Sequence, residues 1–152
     1  EYAILILKKF LEEPDGWIEN KLNSCLVLSC CYQAMGENAA AFDILFYSFT
    51  MDVPRAEICC EIGRLFMEKK EYVTAAYWYQ QALLAPRKKK NGGFYIADSH
   101  DFIPAIQMCV CLDKAGRHRE AFEFHKKARV LKPLHQAVIG NEKYFRDVWG
   151  ME

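Results

Sequence analysis

The sequence predicts an all-α fold, about eight helices stacked as antiparallel pairs in a right-handed superhelix. Three observations carry this. The segments LSCCYQAMGENAAAFDIL, IGRLFMEKKEYVTAAYWY and MCVCLDKAGRHREAFEFH repeat one pattern of small and large residues. Within each copy the apolar positions recur at helical spacing. A proline closes each copy, at Pro54, Pro86 and Pro133, where a second helix must stop.

Leu28, Ser29, Tyr32, Gly36, Ala41, Leu45 and Ser48 align with Ile62, Gly63, Phe66, Lys70, Ala75, Tyr79 and Ala82, and with Met108, Cys109, Leu112, Gly116, Ala121, His125 and Ala128. The Ser/Gly/Cys column and the two Ala-rich columns are small because two helices cross closely there. The large residues beside them fill the space around the crossing. Gly36 and Gly116 suit the turn after the first helix. This arrangement resembles the tetratricopeptide repeat (TPR).

On this register residues 22–54, 56–86 and 102–133 are three repeats. Residues 1–13 (EYAILILKKFLEE before PDG) are expected to be the second helix of an upstream repeat, and 135–149 a terminal helix covering the last repeat. The chain opens inside an apolar pattern without an initiator Met and is read as part of a longer protein.

Residues 87–100, RKKKNGGFYIADSH, break the period. RKKKN suits solvent. Gly92 and Gly93 permit a sharp bend, while Phe94, Tyr95 and Ile96 are too apolar to be left in water. The loop is expected to fold back, with Phe94 and Tyr95 either walling a binding groove or sealing an interface between repeats. Asp98, Ser99 or Asp101 is placed to cap the next helix, and Pro104 fits its first turn.

The stretches PRAEICCEIGRLFMEKKEYVTAAYWYQQAL, GGFY, DFIPAIQMCVCLDKAGRHREAFEFHKKARVLKP and NEKYF resemble the C-terminal repeat region of bacterial family 2 glycosyltransferases, from about Trp17 to Phe145. The resemblance implies a parent chain with an N-terminal nucleotide-sugar transferase domain. Nothing of that domain is here: the sequence has no Asp-x-Asp triplet and no strand–helix alternation. This part is expected to be a non-catalytic arm that positions an acceptor or partner protein. The other reading is a stand-alone TPR adaptor.

Twenty basic residues match twenty acidic ones, which argues against a nucleic-acid surface. No apolar run approaches membrane-spanning length. The seven cysteines form no CxxC pair and replace small or apolar residues in the repeat columns, which fits packing in a reducing, cytoplasmic protein. Asp98-Ser99-His100-Asp101 has no partner group at fixed spacing and reads as capping. His118 and His125 stand where copy two has Tyr72 and Tyr79. Tyr77, Trp78 and Tyr79 read as packing rather than a sugar platform. No catalytic, cofactor or metal site is expected.

The partner surface implied by the TPR resemblance is the concave groove. Its positions are Asn23, Leu26, Cys30 and Gln33 in copy one, then Glu57, Cys60, Arg64, Met67 and Glu68, then Ile103, Ile106, Val110, Asp113 and Lys114. The Lys/Asn/Arg set that clamps a terminal carboxylate is not assembled. A segment with apolar anchors and a charge opposite Arg64 is expected instead, with Arg64→Glu weakening binding at unchanged stability.

Overall fold

The computed structural model describes residues 2–87, 93 and 95–152. Among them are eight α-helices and no strand: α1 (Tyr2–Glu12), α2 (Ile18–Ala34), α3 (Asn38–Tyr47), α4 (Ala56–Glu68), α5 (Tyr72–Leu84), α6 (Phe102–Lys114), α7 (His118–Leu131) and α8 (Gln136–Trp149). Short 3-10 turns follow α3 (Ser48–Thr50) and precede α6 (Ala97–His100). The closest packing is within the pairs α2–α3, α4–α5 and α6–α7, and α5 also packs on α6.

The small columns lie at these crossings. Ala41, Ala75 and Ala121 are fully buried, as are Ala82 and Ala128, and Ser29, Gly63 and Cys109 are buried opposite them. A Cβ at Gly63 would lie 3.0 Å from the ring of Tyr79, so a large second-helix residue here requires a glycine on the first helix. The turns inside the pairs repeat as well: Gly36, Lys70 and Gly116 all have positive φ, at 77°, 60° and 80°. Lys70 holds the left-handed conformation without glycine's freedom, at a local cost.

Two apolar clusters run along the stack. One joins α1 to α4 through Leu11, Leu28, Leu45 and Ile62. The other joins α4 to α8 through Cys59, Tyr79, Leu112 and Phe145. The end helices leave apolar residues in solvent, Tyr2, Leu5 and Ile6 on α1 and Val148 and Trp149 on α8. α2 begins at Ile18, before the residue 22 expected from the register, because the helix resumes as soon as the Pro14-Asp15-Gly16 turn is past. No helix is long and apolar enough to cross a membrane, among the described residues.

Candidate functional site

First helices α2, α4 and α6 supply a concave cavity of about 290 Å³. Leu26 and Cys30 come from α2, Glu57, Cys60, Glu61 and Arg64 from α4, Tyr79 from α5, and Ile103 and Gln107 from α6, with Ile96 and Ser99 of the interrupting loop at the edge. Six of the expected groove positions thus meet here: Leu26, Cys30, Glu57, Cys60, Arg64 and Ile103. Gln33 joins through its hydrogen bonds to Glu61 (2.9 Å) and Arg64. Glu61, Tyr79 and Gln107 were not among the expected positions. Glu61 and Gln107 lie one residue from positions that were, beyond the reach of a fixed repeat pattern.

The other expected positions go elsewhere. Val110, Asp113 and Lys114 line a second hollow of about 190 Å³ with Asn141, Tyr144 and Phe145 of α8. There the Tyr144 hydroxyl donates to Asp113 (2.8 Å) and His118 contacts the same carboxylate (2.7 Å). The terminal helix therefore occupies the third repeat's part of the groove. Ile106 is a correction: it is buried with Phe102, Ala128 and Val138 and presents nothing to a partner. Met67 packs against the core, Asn23 is exposed away from the cavity, and Glu68 is exposed outside the cavity lining, paired with Arg64.

Arg64 is not the free central cation that the sequence suggests. Its Nη2 lies 2.6 Å from Glu61, its Nη1 pairs with Glu68 and its Nη2 also donates to Gln33. Hydrogen bonding to Glu61 raises the guanidinium pKa further above its already high value. Burial alone would push the Glu61 carboxyl up, but the hydrogen bonds from Arg64 and Gln33 hold it below the ordinary carboxylate range. Arg64 thus ties α2 to α4. Arg64→Glu would cluster three carboxylates and lower stability, so it does not separate binding from folding, contrary to the sequence-based expectation.

The interrupting loop is anchored from below. Glu57 is buried, accepts the Ile96 N–H (2.7 Å) and lies 3.5 Å from Nε2 of His100. Its carboxylate thus lines the cavity and holds the loop at once. Tyr95 stacks on His100 with ring centroids 4.6 Å apart, and Ile96 takes the wall position expected of Tyr95. The Cys60 thiol donates to the Ser99 carbonyl (3.4 Å), and Arg87 Nη2 donates to the His100 carbonyl (3.1 Å). Asp101 caps α6 by accepting from the Phe102 N–H (2.6 Å), with Pro104 in the first turn. Phe94 and Gly92 lie outside the described residues.

All seven cysteines are free thiols, and five are buried. Burial pushes Cys59, Cys109 and Cys111 up to about 12 and Cys25 up to about 11, so these thiols stay protonated and pack as small apolar groups. Cys30 departs from the packing pattern: it is exposed at the cavity edge. Trp78 belongs to an aromatic cluster with Phe46, Phe49 and Tyr77, while Tyr79 lies on the other side of the helix in the core. No group of three or more His, Cys, Asp or Glu side chains could hold a metal, among the described residues.

His125 is fully buried with neither ring nitrogen hydrogen-bonded. It packs against the rings of Phe122 and Phe145. Burial, and then the nearby Arg129, lower its pKa from 6.5. The folded chain therefore resists a proton that the unfolded chain accepts, and stability should fall as pH drops below about 6.5. His125→Leu, which copies Leu45 from the first repeat, removes two unpaired polar atoms. It should stabilise by about 1 kcal/mol at neutral pH and flatten the acid limb, as read from thermal melts across pH. Unchanged acid sensitivity in the variant would assign it to other groups.

No protein-family model matches the chain, and no curated protein matches it significantly. Solved structures do. The crystal structure of MamA, a protein of TPR-like fold, aligns with a TM-score of 0.66 over 95% of this chain and 78% of that chain, at 22% identity. The likeness is one of fold. Together with the eight helices and the small residues at their crossings, it makes this chain an all-α helical-repeat solenoid of TPR-like architecture.

Proposed function

We propose that the chain is a non-catalytic protein-interaction scaffold, and that the cavity between α2, α4 and α6 seats a segment of a partner protein. The observation that carries this is the cavity itself: a concave site with apolar walls at Leu26, Ile96 and Ile103 and a few fixed polar groups, on a fold used for protein binding. The test is NMR chemical-shift mapping, in which amide shifts are followed as a library of short peptides is titrated onto the full chain. Shifts centred on Leu26, Cys60 and Ile103 are expected. Shifts confined to the convex side, or none, would overturn the assignment.

The resemblance of the repeats to family 2 glycosyltransferases supports a finer reading, in which this region is the C-terminal arm of such an enzyme. Holding an acceptor or partner would then raise its effective concentration near a catalytic domain without touching the chemistry. A stand-alone adaptor accounts for the repeats equally well. Sequencing the native reading frame upstream of Glu1 separates the two: a strand-rich domain with an Asp-x-Asp triplet supports the transferase arm, and further repeats alone support the adaptor. In either case sugar-nucleotide turnover by this chain should not rise above blank. The free thiols support a reducing, cytoplasmic setting.

A further inference from the structure

Building on the proposed groove, we infer that its occupant is a basic–apolar peptide: an extended segment that seats one large apolar side chain in the cavity and sets a Lys or Arg beside Glu61 and Glu68.

The charge balance of the site carries the argument. Arg64 is the one cation lining the cavity among the described residues, and four of its five N–H donors are already taken, one on Nη1 being left over. Nε donates to Glu61 (3.0 Å), Nη1 to Glu68, and Nη2 to both Glu61 and Gln33. An acidic partner residue would find a single Nη1 N–H, and a bidentate pairing would have to displace Glu61, Glu68 or Gln33. Two carboxylates, Glu61 in the wall and Glu68 beside it, pair with the single guanidinium, so this side of the cavity carries a net negative charge, while Glu57 is engaged by the Ile96 N–H and His100. Asp113 and Lys114 cancel each other farther along. Glu68 is more than half exposed, so its outward lone pairs are open to an incoming cation.

The remaining surface sets the form of the segment. The cavity of about 290 Å³ has room for one or two large side chains against Leu26, Ile96 and Ile103, not for a long row of them. α8 fills the groove beyond. At the cavity edge the Gln107 side-chain amide has no hydrogen-bond partner among the described residues, which leaves it to pair with a peptide main chain.

The probes are two fluorescein-labelled peptide sets with the same central Leu, Ile, Phe or Tyr, one flanked by Lys and the other by Glu. Binding is followed by fluorescence polarisation against the full chain. The Lys set should bind, and its affinity should fall from low to high salt. Glu68→Lys should weaken it roughly five- to tenfold while improving the Glu set. Glu68 is exposed in the last turn of α4, where Lys suits the helix dipole, and circular dichroism checks that the variant folds. If the Glu set binds wild type as well as or better than the Lys set, the charge inference falls and the groove reading survives. If neither set binds, the groove reading falls with it.

Discussion

Arg55→Ala is expected to destabilise the chain by about 3–5 kcal/mol, because it strands the buried Glu19 carboxylate and removes a link to Asp52. Arg55 precedes α4, and its side chain is 5% exposed. Nη2 and Nη1 reach the two oxygens of Glu19 at 2.7 and 3.2 Å, while Nε and Nη2 reach Asp52 Oδ2 at 3.0 and 2.7 Å. Three parts of the fold meet in this cluster: the start of α2, the turn after α3 and the start of α4. Burial works against the charge on Arg55, yet the hydrogen bonds to Glu19 and Asp52 leave its pKa raised.

The cluster also supports the interrupting loop. A Cβ at Gly93 would lie 2.6 Å from Cδ of Glu19, so the loop backbone rests directly on that carboxylate. Freed of Arg55, Glu19 would turn toward water and displace the loop. Urea and thermal melts of the variant check the first effect, with Tm expected to fall by about 10 °C or more. Adding Glu19→Gln should recover part of the loss by removing one stranded charge. A loss below about 1 kcal/mol would mean that water already reaches the cluster.

The repeat made much of this legible. Columns of small residues mark helix crossings because a side chain there would collide with the facing helix, and a regular fold writes that constraint at regular intervals. Even the turns follow, with Lys70 adopting the positive φ of Gly36 and Gly116. What the period could not reveal are contacts made once. Arg55, Glu19 and Gly93 meet across 36 to 74 positions of sequence with no counterpart in the other repeats. Glu57 holds a groove position by register, but the loop that returns over α4 claims it. Ile106 and Asp113 are covered by later parts of the chain, so a groove read from one repeat overstates the open surface.

Tyr79→Ala should cost a comparable amount, about 3–5 kcal/mol, through the cavity that it opens. Tyr79 is among the largest fully buried side chains and lies against the bare Cα of Gly63, where a Cβ would be 3.0 Å from the ring. The same ring lines the cavity between α2, α4 and α6, so it joins the core to the candidate site. Burial pushes its hydroxyl well above the ordinary pKa, so it remains a neutral phenol near Cys60 and Arg64. Tyr79→Phe keeps the ring and should lose far less, which separates packing from the hydroxyl. Gly63→Leu alone should destabilise by overpacking, by about 1–3 kcal/mol. In the Tyr79→Ala background the same substitution should instead recover stability, because the added side chain enters the space the ring has left. A double-mutant cycle from urea melts measures this coupling. Coupling near zero would mean that the backbone relaxes around each change independently. Strong coupling would make the Gly63–Tyr79 pair a single packing unit, with the small column of the repeat set by the bulk of the ring it faces.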